Sequence, residues 1–153
     1  MRILLLDPEK KTNYRISKDT SGGYGTGNDF GDKIIPNILK RTLKFVHDWP
    51  PLFAIYSMAV LKRNNHEVTY SKELNNNLSE FDLAIVVSSI VCCETEVKNI
   101  KKIKLFNKPV FAIGPFATSN PKKYIDAGAQ VISGEPEFFF LGKTLLINIS
   151  VRT

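Results

Sequence analysis

The chain has 153 residues, 43% hydrophobic and 24% charged, which fits one globular domain with a sizeable core. Its apolar runs are far too short to span a bilayer and no charged-then-apolar leader opens it, so neither a membrane nor export is expected and the cytoplasm is the default. The net charge is +6, but no arginine cluster with interleaved aromatics accompanies it, so nucleic acid is not an expected partner.

Arg2 to Leu6 is a continuous apolar run bounded by Asp7-Pro8, the pattern of a parallel strand covered on both faces. Lys10 to Asp19 is polar without a period. Residues 21–31, SGGYGTGNDFG, read as a glycine-rich loop. They invite a phosphate cradle, but after Gly25 and Gly27 the third glycine position holds Phe30, and no Gly-Lys-Ser/Thr follows, so a ligand-covering loop fits better. Ile34, Ile35, Ile38, Leu39, Leu43 and Val46 have helical spacing. Trp49-Pro50-Pro51 breaks that helix. Leu52 to Lys62 predicts a mostly apolar helix on the sheet, stopped at Asn64-Asn65, with a strand over 66–70.

Phe81 to Val87 carries the next strand, with its core at 83–87, and Ser88-Ser89 ends it in small polar residues. Cys92 and Cys93 are adjacent and lack the spacing of a zinc site or a redox pair, so buried thiols are expected. A helix from about Glu94 to Phe106 follows. Ile100, Ile103 and Leu105 give it an apolar stripe, and its lysines read as a solvated face. Residues 108–140 then hold two strand–loop–helix units. The strands are 109–113 and 130–133, stopped by Gly114 and Gly134. Asn120-Pro121 reads as a capped helix start, Gly128 as its end, and Glu135-Pro136-Glu137 as the next start. The tail alternates Ile147, Ile149 and Val151 with polar residues, which allows an edge strand over 144–153.

Strands that alternate with helices in this way run parallel. The predicted fold is α/β: a flavodoxin-like (Rossmann-like), doubly wound five-stranded parallel sheet in a three-layer α/β/α sandwich, strand order 2-1-3-4-5. Gly114 and Gly134 then share the carboxyl edge, where such sheets bind ligands. Together with Ser88 and Ser89 they leave room for a large planar ligand, and amides at the following helix starts suit a phosphate.

Four segments carry a family resemblance, and they fall in the family's order over roughly residues 1–140. Pro50-Pro51-Leu52, a helix, Leu61-Lys62 and His66-Glu67-Val68 come first, and Asp82-Leu83-Ala84-Ile85-Val86-Val87-Ser88 second. Ile113-Gly114-Pro115-Phe116-Ala117-Thr118-Ser119-Asn120-Pro121 is similar to a Gly-Gly-x-x-x-Thr-x-x-Pro loop, and Ser133-Gly134-Glu135-Pro136-Glu137 to a Gly-Glu-x-Glu ending. The set resembles the cobalamin-binding domain of cobalamin-dependent radical S-adenosylmethionine enzymes, a family of corrinoid-dependent methyltransferases and a ring cyclase. The resemblance implies a cobalamin-binding domain over 1–140 and an atypical tail over 141–153. It places the cofactor against Asp7, Pro8, Ser88, Ser89, Gly114, Pro115, Phe116, Thr118, Gly134 and Glu135.

Departures shape the expectation. The family's Cys-x-x-x-Cys-x-x-Cys motif is missing, so no iron–sulfur cluster and no catalysis by this chain alone are expected. The chain reads as a stand-alone or truncated corrinoid-binding module, with a separate radical S-adenosylmethionine chain as its partner. Pro115 replaces the second glycine of its loop. Methionine-synthase-like domains carry Asp-x-His-x-x-Gly after the first strand; Glu9 and Thr12 stand where that His and Gly would be. No protein metal ligand is therefore expected, since His66 opens its strand at the far edge and His47 reaches the site only if the glycine-rich segment folds over it; His47 also lacks an acid or nucleophile partner for catalysis. The alternative is a receiver-like signalling or other small-ligand domain of the same fold, but a receiver needs an aspartate where Ser88-Ser89 stands.

Overall fold

The computed structural model describes residues 1–9, 16–17, 26–27, 34–36, 38, 50–74 and 77–141. Its main sheet contains β1 (Arg2–Leu6), β2 (Glu67–Ser71), β3 (Leu83–Val87), β4 (Val110–Ile113) and β5 (Gln130–Val131). The order is β2-β1-β3-β4-β5, and every pairing is parallel. The flanking helices are α1 (Leu52–Arg63), α2 (Cys93–Leu105), α3 (Pro115–Ser119), α4 (Pro121–Asp126) and α5 (Pro136–Leu141). This is the flavodoxin-like α/β fold that the strand–helix alternation predicts. Among the described residues no helix is long and apolar enough to cross a membrane.

The continuous apolar strands exist because both sheet faces are covered. Leu4, Leu6, Ala84, Val86, Val110 and Ala112 face α2 and α4, with Ile100, Ile103 and Tyr124 packed over them. Ile3, Leu5, Leu83, Ile85, Phe111 and Ile113 face α1 and α5, under Ala54, Leu61 and Phe140. Alternation along each strand sends successive side chains to the two cores. α1 and α5 lie parallel: Phe53 and Pro136 share a cleft at their amino ends, and Asn64 Nδ2 donates to the Phe140 carbonyl at their carboxyl ends. Asn65 takes a left-handed φ of 62° as the chain leaves α1.

Several expectations change. β2 starts at Glu67, one residue late, and β5 ends at Val131, although the Ile132 amide still reaches the Ala112 carbonyl. Leu105 does not join the stripe of Ile100 and Ile103: two residues after Ile103 it stands on the opposite side of the helix and is 82% exposed. The glycine-rich stretch is not all loop, since Thr26–Gly27 pairs antiparallel with Ile16–Ser17. Residues 34–36 and 38 are helical as predicted. The rest of that helix, His47 and the proposed edge strand over 144–153 lie outside the described residues.

A buried polar knot ties α2 to the end of β3. Glu96 is fully buried in the first turn of α2. Its carboxylate accepts the Ser89 amide (3.1 Å), the Ser89 hydroxyl (2.8 Å) and the Tyr124 hydroxyl (2.5 Å). Burial first, then the adjacent Glu96, pushes the Tyr124 phenol far above its ordinary pKa, so it stays a donor. A buried carboxylate is tolerable only with its lone pairs met in this way. Glu96→Ala should destabilise the protein by about 3 kcal/mol, since it strands buried donors, and Tyr124→Phe by about 1 kcal/mol. Urea unfolding checks both; a neutral Glu96→Ala would remove the knot from the account.

Candidate functional site at the carboxyl edge

The strand ends, helix starts and glycine turns meet at one edge. A cleft of about 360 Å³ opens there, lined by Phe53, Gly114, Pro115, Thr118, Ser119, Gly134, Glu135 and Pro136. It is bounded by the first turn of α1, by α3 and by the start of α5. That volume lies near the small end for ligand pockets.

Gly114 sets the cleft's inner wall. Its φ is +110°, and a Cβ there would stand 2.9 Å from Phe53 Cζ and 2.9 Å from Ser88 Oγ. The phenyl ring of α1 can therefore lie against the backbone at the end of β4. The Ser88 hydroxyl accepts the Ala117 amide at 2.9 Å, and the Ser88 amide donates to the Ile113 carbonyl at 2.8 Å. These contacts tie Ser88 to the end of β4 and to the first turn of α3. Thr118 and Gly134 both line the cleft. There the Gly134 amide donates to Thr118 Oγ1 at 3.3 Å, and Thr118 Oγ1 donates to the Gly114 carbonyl at 3.1 Å.

Five of the ten residues singled out from the sequence line the cleft: Gly114, Pro115, Thr118, Gly134 and Glu135. Ser88 and Ser89 are buried behind it, bound to Ala117 and Glu96. Phe116 points the other way, edge-on to Tyr124 with Lys123 Nζ 5.9 Å from its ring centre. Asp7 is buried at the end of β1 and accepts the Tyr70 hydroxyl at 2.8 Å; Pro8 is buried beside it. Glu9 pairs with Lys72 at 2.8 Å. Phe53, Ser119 and Pro136 were missed. Phe53 sits on a helix that reads as core, and only its place one residue into α1, after Pro50-Pro51, signals the site.

The segment 115–119 was read as loop and is a one-turn helix. Asn120 makes no side-chain cap; its amide donates to the Phe116 carbonyl, and the residue joins α3 to α4. α3, α4 and α5 each open with proline, at Pro115, Pro121 and Pro136. Proline has no N–H, and the Ala117 amide is taken by Ser88. The helix starts therefore offer fewer amides for a phosphate than the glycine loops suggested. Glu135 is the cleft's ionisable residue, and Glu137 Oε2 lies buried nearby without a hydrogen-bond partner. The cleft suits a planar, uncharged group resting on Phe53 and the prolines better than an anion.

His66 lies at the amino edge, just before β2. Its Nδ1 is buried without a partner, and burial, followed by the nearby chain amino group, lowers its pKa. Cys92 and Cys93 are buried at the start of α2 and form no disulfide among the described residues. Among the described residues no group of three His, Cys, Asp or Glu side chains is placed to hold a metal. Comparison with protein-family models, curated proteins and solved structures gives no match.

The two glycines should respond differently to a methyl group. A Cβ at Gly114 meets Phe53 and Ser88. Gly114→Ala should destabilise by about 3 kcal/mol, combining backbone strain with overpacking. At Gly134 φ is +81° and nothing lies within 4 Å of a new Cβ, so Gly134→Ala should show only the backbone part, about 1 kcal/mol. Phe53→Ala in the Gly114→Ala background should recover part of the loss. Equal losses at the two glycines in urea unfolding would contradict the close approach.

Proposed function

We infer that this chain is a corrinoid-binding module, cytoplasmic and without catalysis of its own, that holds cobalamin over the carboxyl edge of its sheet. The observation that carries the reading is the cleft between Phe53, Thr118 and Gly134, where the third and fourth family-like segments converge with the start of the first. At about 360 Å³ the cleft is sized for one planar group of the ligand and not for the whole cofactor. It would take the base of the nucleotide tail, with the corrin ring outside it. Phe53, Pro115 and Pro136 supply apolar contact, and Ser119, whose proton goes to the Pro115 carbonyl, supplies an acceptor oxygen.

Glu9 is an unsuitable axial ligand on this reading, because Lys72 already neutralises it. His66, the histidine among the described residues, is at the opposite edge. Bound cobalt would then have no imidazole from either group. The receiver reading is weaker: Ser88, at the phosphate-acceptor position, is buried with its hydroxyl engaged. A separate radical S-adenosylmethionine chain remains the proposed partner for chemistry.

Titration with hydroxocobalamin, followed by its visible spectrum and by gel filtration, tests the proposal. The protein should retain the corrinoid, and Thr118→Trp, which fills the cleft, should weaken retention at least about tenfold while the circular dichroism is unchanged. No spectral change and no co-elution would remove corrinoid binding. Retention that Thr118→Trp leaves untouched would move it away from this cleft.

A further inference from the structure

The opposite edge of the molecule carries a surface that corrinoid binding does not use. On the outer side of α2, Lys98, Lys101, Lys102 and Lys104 are exposed, and none has a carboxylate partner among the described residues. The helix ends in Leu105, 82% exposed, and Phe106, 51% exposed. Neighbouring α4 exposes Ile125 at 55%. The two helix ends touch: a Cβ on Gly128, in the turn after α4, would stand 3.0 Å from Lys104 Cγ, so the lysine stem lies against that turn. Lys101 and Lys102 stand one turn before Leu105 and Phe106, on the same faces.

A merely solvated lysine face does not require large apolar groups at its end. Apolar side chains rimmed by charge of one sign have the anatomy of a docking surface. The charges also choose among occupants. A second copy docked through the same face would bring lysine against lysine. A nucleic-acid backbone would meet the lysines but leave Leu105 and Ile125 uncovered. An acidic amphipathic protein segment satisfies both halves.

We propose that the amino-edge ends of α2 and α4 dock an acidic, amphipathic helical segment of another protein. Its apolar stripe covers Leu105, Phe106 and Ile125, and its carboxylates meet Lys101, Lys102 and Lys104. The acidic residue of this patch, Asp126, is engaged by Lys122 at 2.8 Å and adds little repulsion.

The probe is a fluorescein-labelled synthetic helix with leucines at i, i+3, i+4 and i+7 and glutamates elsewhere, read by anisotropy with the full chain. Oligoglutamate and oligothymidine of equal length are the controls. The Leu/Glu helix should bind, weaken as salt rises, and perturb amide resonances around 101–108 and 125–128. Leu105→Ser and the Lys101→Glu/Lys102→Glu pair should each weaken it about tenfold. All the substituted side chains are exposed, so circular dichroism should be unchanged. The proposal is overturned by no binding, by equal binding of oligoglutamate, by tighter binding of oligothymidine, or by resonance changes confined to the cleft edge.

Discussion

The close approach at Gly114 is the constraint on which the carboxyl edge depends. A strand can pass directly beneath an aromatic ring only where it has no side chain and can turn at positive φ. Gly114 provides both, and three elements lock onto it. Phe53 brings the start of α1 over the end of β4. Ser88, at the end of β3, comes within reach of the Ala117 amide and fixes α3. Thr118 on α3 then receives the Gly134 amide and ties in the turn after β5. The cleft is what remains between these elements.

The same region shows why a glycine-rich edge need not be a phosphate site. Prolines at the openings of α3, α4 and α5 remove amide donors where an anion would seek them. Glu135 and Glu137 bring negative charge beside the cleft. A ligand that enters here gains from apolar contact and shape. Four exposed lysines lie on α2, whose carboxyl end is at the other edge. The two ends of the sheet therefore offer different chemistry, with α1 and α2 spanning the distance between them.

The sheet was legible because its three central strands are short and nearly all apolar, and are stopped by glycine or polar residues. Leu83–Val87 and Val110–Ile113 could be placed to within a residue on that pattern. The helix 115–119 was not legible: five residues that include Pro, Thr and Ser directly after a glycine carry loop composition, and the helix exists because Ser88 and Gly114 hold its first turn. Glu96 reads as a surface residue of a lysine-rich helix. Only the fold brings Ser89 and Tyr124 to it from distant positions. Phe53 hid in the same way, since an aromatic in an apolar helix looks like core until the chain opposite it is known to be glycine. Leu105 misled in the other direction: an apolar residue two positions after the stripe falls on the solvent side of the helix.

Hydrogen–deuterium exchange with and without hydroxocobalamin tests the central claim most directly, because it locates the ligand without altering the chain. The account predicts slower exchange in 114–119 and 133–136 and around Phe53, with little change at the ends of α2 and α4. Protection confined to other parts of the chain, or no protection at saturating cofactor, would contradict it.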